Sequence, residues 1–189
     1  MIFPGLNLTD GNDREGNVGS LTSAEQIAHR QAILDTLYTH SRGLDRVDAE
    51  LIKSTYWPEA VVDYGAYKGA AYPFAELIGP ALSSQYELTQ HVLGQTLIDL
   101  QGSMARTETY VQARHLLIAA QEELSFSGRY LDTLELRGDE WRIIQRQVVM
   151  DWSRCHAVTD QRDSEAFGQL SKGHNTADDP SYPFFKENQ

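Results

Sequence analysis

One cysteine, Cys155, stands among 189 residues. No disulfide can close within the chain, and neither a disulfide-stapled scaffold nor a cysteine-rich zinc cluster is available. Basic residues are scarce too: 16 Lys and Arg face 27 Asp and Glu, for a formal net charge of -11 and a pI near 4.9. A surface of that sign repels nucleic acid and anionic membranes, so neither is an expected partner, and a small or neutral ligand is. No apolar run approaches the ~20 residues of a membrane span. The opening stretch "MIFPGLNLTDGNDREGNVGS" lacks the basic start and apolar core of a signal peptide, so a cytoplasmic location is the expectation. No internal repeat or low-complexity block is present. What is there is 41% hydrophobic residues, enough at this length for one sizeable core.

Residues 1–20 are rich in Gly, Asn and Asp and read as a flexible arm. Thr22 and Glu25 match the capping box, and Ile27, Ile33, Leu34, Leu37, Tyr38 and Leu44 recur at helical spacing, which predicts a helix over 23–44. "DAELIKSTYW" reads as a second short helix stopped by Pro58, because proline disfavours helix in the residue before it. "AVVDYGAY" is β-branched and strand-like, and Pro73 opens a third helix that Pro80 is expected to kink or divide. From residue 88 onward the period becomes two, over about 90–100, 104–119, 124–137 and 141–152, with "LQGS", "QEE" and "RGDE" as connections. Helices followed by such a meander give an α+β fold in which helices cover one face of a curved antiparallel sheet. The expected organisation is an arm (1–20), one folded domain (21–154) and a polar, aromatic-ended tail (155–189). That tail either docks over the pocket or a neighbouring subunit, or stays disordered.

Several polar residues stand where chemistry could use them. Asp45 closes the first helix, where the negative end of the dipole disfavours a carboxylate; alone it reads more readily as a solvated loop residue beside Arg42 or Arg46. Tyr38 lies two helical turns before it, on nearly the same face. Asp63 and Tyr64 alternate in a strand, so one of them points inward. His91, in "LTQHVLGQ", and His115 are embedded among Val, Leu and Ile on adjacent predicted strands, and their rings can meet if the hairpin turns near "LQGS". Arg129 and Tyr130 face opposite ways, and the sequence does not choose between them.

The stretch "YTHSRGLDRVDAELIKSTYWPEAVVDY", the histidine in "TQHVLG", a second histidine one strand later and the closing "DEWRI" resemble, in order and separation, the scytalone dehydratase and SnoaL-like family of the NTF2-like superfamily. The similarity runs from about Tyr38 to Trp152. It implies a cone-shaped α+β fold, three N-terminal helices packed on a curved antiparallel sheet around a ligand pocket. It also implies a site: Asp45 as the carboxylate of an Asp-His pair, His91 as its histidine, His115 as the second histidine, and Tyr64 as a tyrosine that activates the substrate carbonyl. The family's other tyrosine is replaced here by Leu44, which argues against scytalone itself as substrate; Tyr38 and Tyr130 are candidates to replace it. Arg129 is a further candidate donor.

The activity implied is a cofactor-independent lyase, a dehydratase-type elimination by Asp-His acid-base catalysis on a small aromatic or polycyclic hydroxy compound, extending to aldehyde-releasing cleavage of a lignin-derived phenol. No metal or organic cofactor is required, and a homo-oligomer, dimer or trimer, is expected. The alternatives are a ketosteroid-isomerase-like isomerase, and a non-catalytic binding module or dioxygenase small subunit. A fourth reading uses His91, His115 and Asp45 as the two-histidine, one-carboxylate set of a non-haem iron site; the resemblance favours the metal-free one.

Overall fold

The computed structural model describes residues 22–118 and 121–186; the expected arm at 1–20 lies outside the described residues. Helix α1 (Ser23–Asp45) opens with the capping box as read: the Thr22 side chain accepts the Glu25 N–H, and the Glu25 carboxylate accepts the Thr22 N–H at 2.7 Å. Ile33, Leu37 and Leu44 form its buried stripe. A turn follows in which Val47 adopts φ 52°. Asp48 then caps α2 (Ala49–Ser54) through the Leu51 N–H.

The second helix is shorter than expected. Tyr56, Trp57 and Pro58 belong to strand β1 (Tyr56–Asp63), which pairs with β2 (Lys68–Ala70). Pro58 does not stop the helix; it is tolerated in the strand because the ladder to β6 is interrupted between Tyr56 and Val61, where a missing N–H costs no sheet bond. Helix α3 (Ala71–Gln85) starts two residues before Pro73 and runs through Pro80 as one element. The three helices are therefore not one N-terminal block, since β1 and β2 stand between α2 and α3.

The four long strands appear in order, three of them longer than the pattern suggested: β3 (Tyr86–Gln101), β4 (Met104–Leu117), β5 (Glu122–Arg137) and β6 (Glu140–Ala157); β4 ends two residues before the expected 119. Two of the hairpins turn on Gly102 and Gly138, both at φ +60°, a conformation open to glycine at no steric cost. The sheet order is β2-β1-β6-β5-β4-β3. It is mixed rather than wholly antiparallel, because β1 runs parallel to β6. The pairing of β5 with β6 is offset at Ser127 and Gly128. At Gly128 an added Cβ would sit 2.1 Å from the Val149 carbonyl oxygen, so only glycine fits that bulge.

The core lies between the helices and the inner face of this curved sheet, with Ile33, Leu37, Ile52, Phe74, Leu134, Trp141 and Ile143 at its centre. A final short helix, α4 (Ser181–Lys186), which the period analysis did not anticipate, ends the described chain. Among the described residues no helix is long and apolar enough to cross a membrane.

Candidate active site

Asp45 is the last residue of α1, and the mild penalty of that position is met by three donors from β3. Its Oδ1 lies 2.7 Å from His91 Nδ1, the His91 backbone N–H reaches both oxygens at 2.9 and 3.1 Å, and the Thr89 hydroxyl donates at 3.1 Å. The His91 side chain is only 7% exposed and that of Asp45 14%. A carboxylate can only accept, so Nδ1 of neutral His91 carries the proton and Nε2 presents its lone pair. The pair lines a cavity of about 980 Å³ between the end of α1, β3 and the C-terminal segment, with Tyr38, Leu93, Leu116 and Val158 also on its wall. Carboxylate, imidazole and the predicted Tyr38 are thus brought together.

His115 faces the same side of the sheet, edge-on to His91 with ring centroids 5.6 Å apart, and packs on Tyr86 at 4.7 Å. The meeting of the two rings is as the sequence suggested. Its role is not: Nδ1 sits 3.3 Å from the Leu124 carbonyl and must be the donor there, which leaves Nε2 of the neutral ring as an acceptor. Burial, and then the neighbouring His91, hold the His115 pKa below the usual imidazole value, so the cationic form that could donate is disfavoured.

Tyr64 is the inward member of the Asp63–Tyr64 pair. Its ring stacks on Phe74 at 4.2 Å, and its buried hydroxyl finds no hydrogen-bond partner among the described residues. Burial pushes its phenol pKa up, with Arg146 opposing in part. Asp63 turns toward Lys68, at 2.9 Å. Between Arg129 and Tyr130 the structure chooses Tyr130, which is 3% exposed inside the fold. Arg129 points outward onto Glu108 (2.9 Å) and Asp151 (3.0 Å) and cannot reach the pocket, so its place as a substrate-binding residue is withdrawn. Neither His115, Tyr64 nor Tyr130 lines the cavity reached by Asp45 and His91. Arg129→Gln is expected to change turnover less than about twofold and to leave stability nearly unchanged, as for other exposed ion pairs; steady-state rates and urea melts check this.

The sequence reading missed a buried polar network deeper in the fold. Arg146 on β6 makes a two-pronged ion pair with Asp132 on β5 at 2.7 and 2.8 Å, and its third arm donates to His40 Nδ1 at 2.7 Å. His40 Nε2 therefore holds the ring proton and donates to the Tyr56 hydroxyl at 3.0 Å. The Arg146 guanidinium lies 4.3 Å from the centre of the Tyr130 ring. His40, Tyr56, Asp132 and Arg146 are each no more than 3% exposed. A signal existed: His40 falls on the apolar stripe Ile33–Leu37–Leu44, and Asp132 alternates between inward Tyr130 and Leu134.

Burial first, then Arg146 and then His91, depress the His40 pKa well below the usual value. Below about pH 6.5 an unfolded chain binds a proton at this position that the folded chain refuses, so stability falls as pH drops. We expect about 1 kcal/mol lost per pH unit below ~6.5 on this account. Urea melts between pH 7 and 5, wild type against His40→Gln, check it; equal slopes refute it.

The SnoaL-like domain pattern matches residues 25–147, which run from the first turn of α1 into the first half of β6, Asp45 and His91 included. The chain belongs to the SnoaL-like domain family. This SnoaL-like chain is similar in fold to a scytalone dehydratase-like protein from Novosphingobium aromaticivorans, with 16% identity and a TM-score of 0.66 over 73% of this chain and 94% of that one. It is similar to a hexachlorocyclohexane dehydrochlorinase, LinA type 2, with 18% identity and a TM-score of 0.66 over 72% and 94% of the two chains. The LinA type 3 enzyme from Novosphingobium barchaimii aligns with 16% identity and a TM-score of 0.65 over 72% and 95%. No curated protein matches the chain by sequence. Among the described residues of this SnoaL-like chain, no three His, Cys, Asp or Glu side chains gather as a metal site. Asp45 and His91 bond to each other rather than converging on a common point.

Proposed function

We propose that this chain is a cofactor-independent lyase that removes a small leaving group from an aromatic or polycyclic hydroxy compound. The observation that carries the reading is the Asp45–His91 pair, with one nitrogen fixed by a carboxylate at 2.7 Å and the other free on a cavity wall. In the reaction, His91 Nε2 takes a proton from the carbon next to a carbonyl or phenol-activated centre. The released electron pair forms the new double bond as the carbon–oxygen bond breaks. The imidazolium then returns its proton to the departing hydroxide, which leaves as water. Asp45 holds the ring in one tautomer and stabilises its cation.

The neighbours support the chemical class. A scytalone dehydratase-like protein and a dehydrochlorinase are named for loss of water and of hydrogen chloride, two eliminations that differ in leaving group. Loss of formaldehyde from a lignin-type phenol belongs to the same reading. His115 is assigned the part of a ring wall that keeps His91 edge-on, rather than that of a carbonyl donor, and Tyr64 and Tyr130 that of inner residues supporting the pocket. The cavity's mixed wall, with Leu88, Leu93, Leu116 and Val158 beside Tyr38, suits an aromatic body.

The test is a mass-spectrometric screen of wild type and His91→Ala against aromatic β-hydroxy carbonyls, phenolic diols and ring ketones, with chelator present throughout. Loss of water or formaldehyde that depends on His91 supports the lyase. Turnover without mass change points to the isomerase, and binding without turnover by either protein to a binding module.

A further inference from the structure

The C-terminal segment contributes little to the core. Phe167, Leu170, Phe184 and Phe185 are at least half exposed, and α4 buries no residue. Yet it follows a defined path. The Val158 N–H donates to the Gln121 carbonyl at 2.8 Å, and Arg162 then bridges to Glu87 on β3 at 2.7 Å. Val158, Asp160, Arg162 and Gly173 stand on the wall of the cavity that holds Asp45 and His91.

Where the segment reaches α1, its contacts fall on the residues that bracket Asp45. Asp179, 4% exposed, accepts the His174 and Ser181 N–H groups at 3.0 Å each and lies 3.4 Å from Arg46 Nε. Arg46 in turn donates to the Asp45 carbonyl at 3.1 Å. Arg42 donates to the Ser181 hydroxyl at 3.1 Å and places its guanidinium 5.2 and 5.3 Å from the Tyr182 and Phe185 ring centres. The Tyr182 hydroxyl donates to Asp48 at 2.9 Å. A carboxylate is costly to bury without the partners that hold it. Asp179 takes its hydrogen bonds from His174 and Ser181 within the segment and meets the end of α1 through its ion pair with Arg46, beside the Arg42–Ser181 and Tyr182–Asp48 bonds, so the docking is a polar latch and not a hydrophobic weld. Segments held this way open at low free energy.

We propose that residues 158–186 form a strap that walls the Asp45–His91 cavity and opens to admit substrate, latched by Asp179 onto Arg46 beside Asp45. The inference rests on that pair being the reactive site, and its test does not need turnover. Asp179 is a positioning residue: it holds the strap and, through Arg46, the turn that carries the site carboxylate. Substrate size is then set by the strap as much as by the inner sheet. Val158 supplies apolar contact, and Arg162 a cation already engaged by Glu87 and Asp160.

The experiment measures carbethoxylation of each histidine by diethyl pyrocarbonate, resolved by peptide mass spectrometry, in wild type, Asp179→Asn and Arg42→Gln. His156, whose side chain is 47% exposed, is the internal standard. Freeing the strap is expected to raise the rate at His91 by about tenfold with the His156 rate unchanged, as for a site gated by local opening. Arg42→Gln should act in the same direction. Hydrogen exchange on wild type should show 158–186 exchanging faster than β6. An unchanged His91 rate in folded variants overturns the strap. So does global unfolding of Asp179→Asn, which would make the segment part of the core. If the screen finds no turnover but the His91 rates respond, the strap stands and the lyase reading fails alone.

Discussion

His91→Ala is expected to slow turnover at least ~100-fold while leaving the fold intact, the lower end of what a positioned acid-base group contributes. The ring is only 7% exposed but sits on a cavity wall, so its removal enlarges existing space more than it opens a void in the core. Asp45→Asn should approach the same loss by another route. Its amide could offer an N–H to Nδ1, turning the imidazole to the tautomer whose proton sits on Nε2, and the free lone pair would vanish from the cavity. The two losses should not add, because both remove one unit. Single-turnover rates of the single and double variants measure this. A folded His91→Ala protein with near wild-type turnover excludes the histidine from the reaction, and fully additive losses exclude the coupled pair.

Removing Asp132 should have the largest effect on stability. Arg146 is 1% exposed, and among the described residues its guanidinium hydrogen-bonds to Asp132 and His40. Asp132→Ala strands that charge in the interior, at an expected cost of ~3–5 kcal/mol. That is a large share of the ~5–15 kcal/mol by which a domain of this size is stable. The damage should spread to the site, since His40 lies on α1 five residues before Asp45 and depends on Arg146 for its tautomer. An Asp132→Leu, Arg146→Met double variant should recover much of the loss by removing both charges together. Urea unfolding at pH 7 gives the values; a loss below ~1 kcal/mol for Asp132→Ala would show that water or rearrangement relieves the buried charge.

These two predictions divide between what the sequence displayed and what it concealed. The pairing of Asp45 with His91 was legible only through the family resemblance, because taken alone Asp45 reads as a solvated loop aspartate and His91 as a hydrogen-bonded core histidine. The four-strand meander was legible from its period of two. The faces of Arg129 and Tyr130 were not, since alternation fixes their opposition without fixing its sign, and the Ser127–Gly128 bulge shifts register just before them. Arg146 and Asp132 escaped because a charged residue in a strand reads as solvent-facing until its partner on the next strand is known. The parallel contact of β1 with β6 joins segments some eighty residues apart, beyond the reach of any local pattern. Pro58 misled for a related reason: the interruption that accommodates it exists only once β6 is in place.

That β1–β6 contact also governs how the chain must come together during synthesis. Strand β6 is the last of the sheet to emerge, yet it lies between β1 and β5 in the finished order. Until it arrives, β1 and β5 each present an open edge, the feature most prone to pair with another chain. Arg146 arrives with β6 as well, so His40 and Asp132 wait without their shared partner through most of translation. Closure by a late, sequence-distant strand implies slow folding for a domain of this length. It also means that a ribosome stalled before residue 140 holds an aggregation-prone half-sheet and no assembled polar centre.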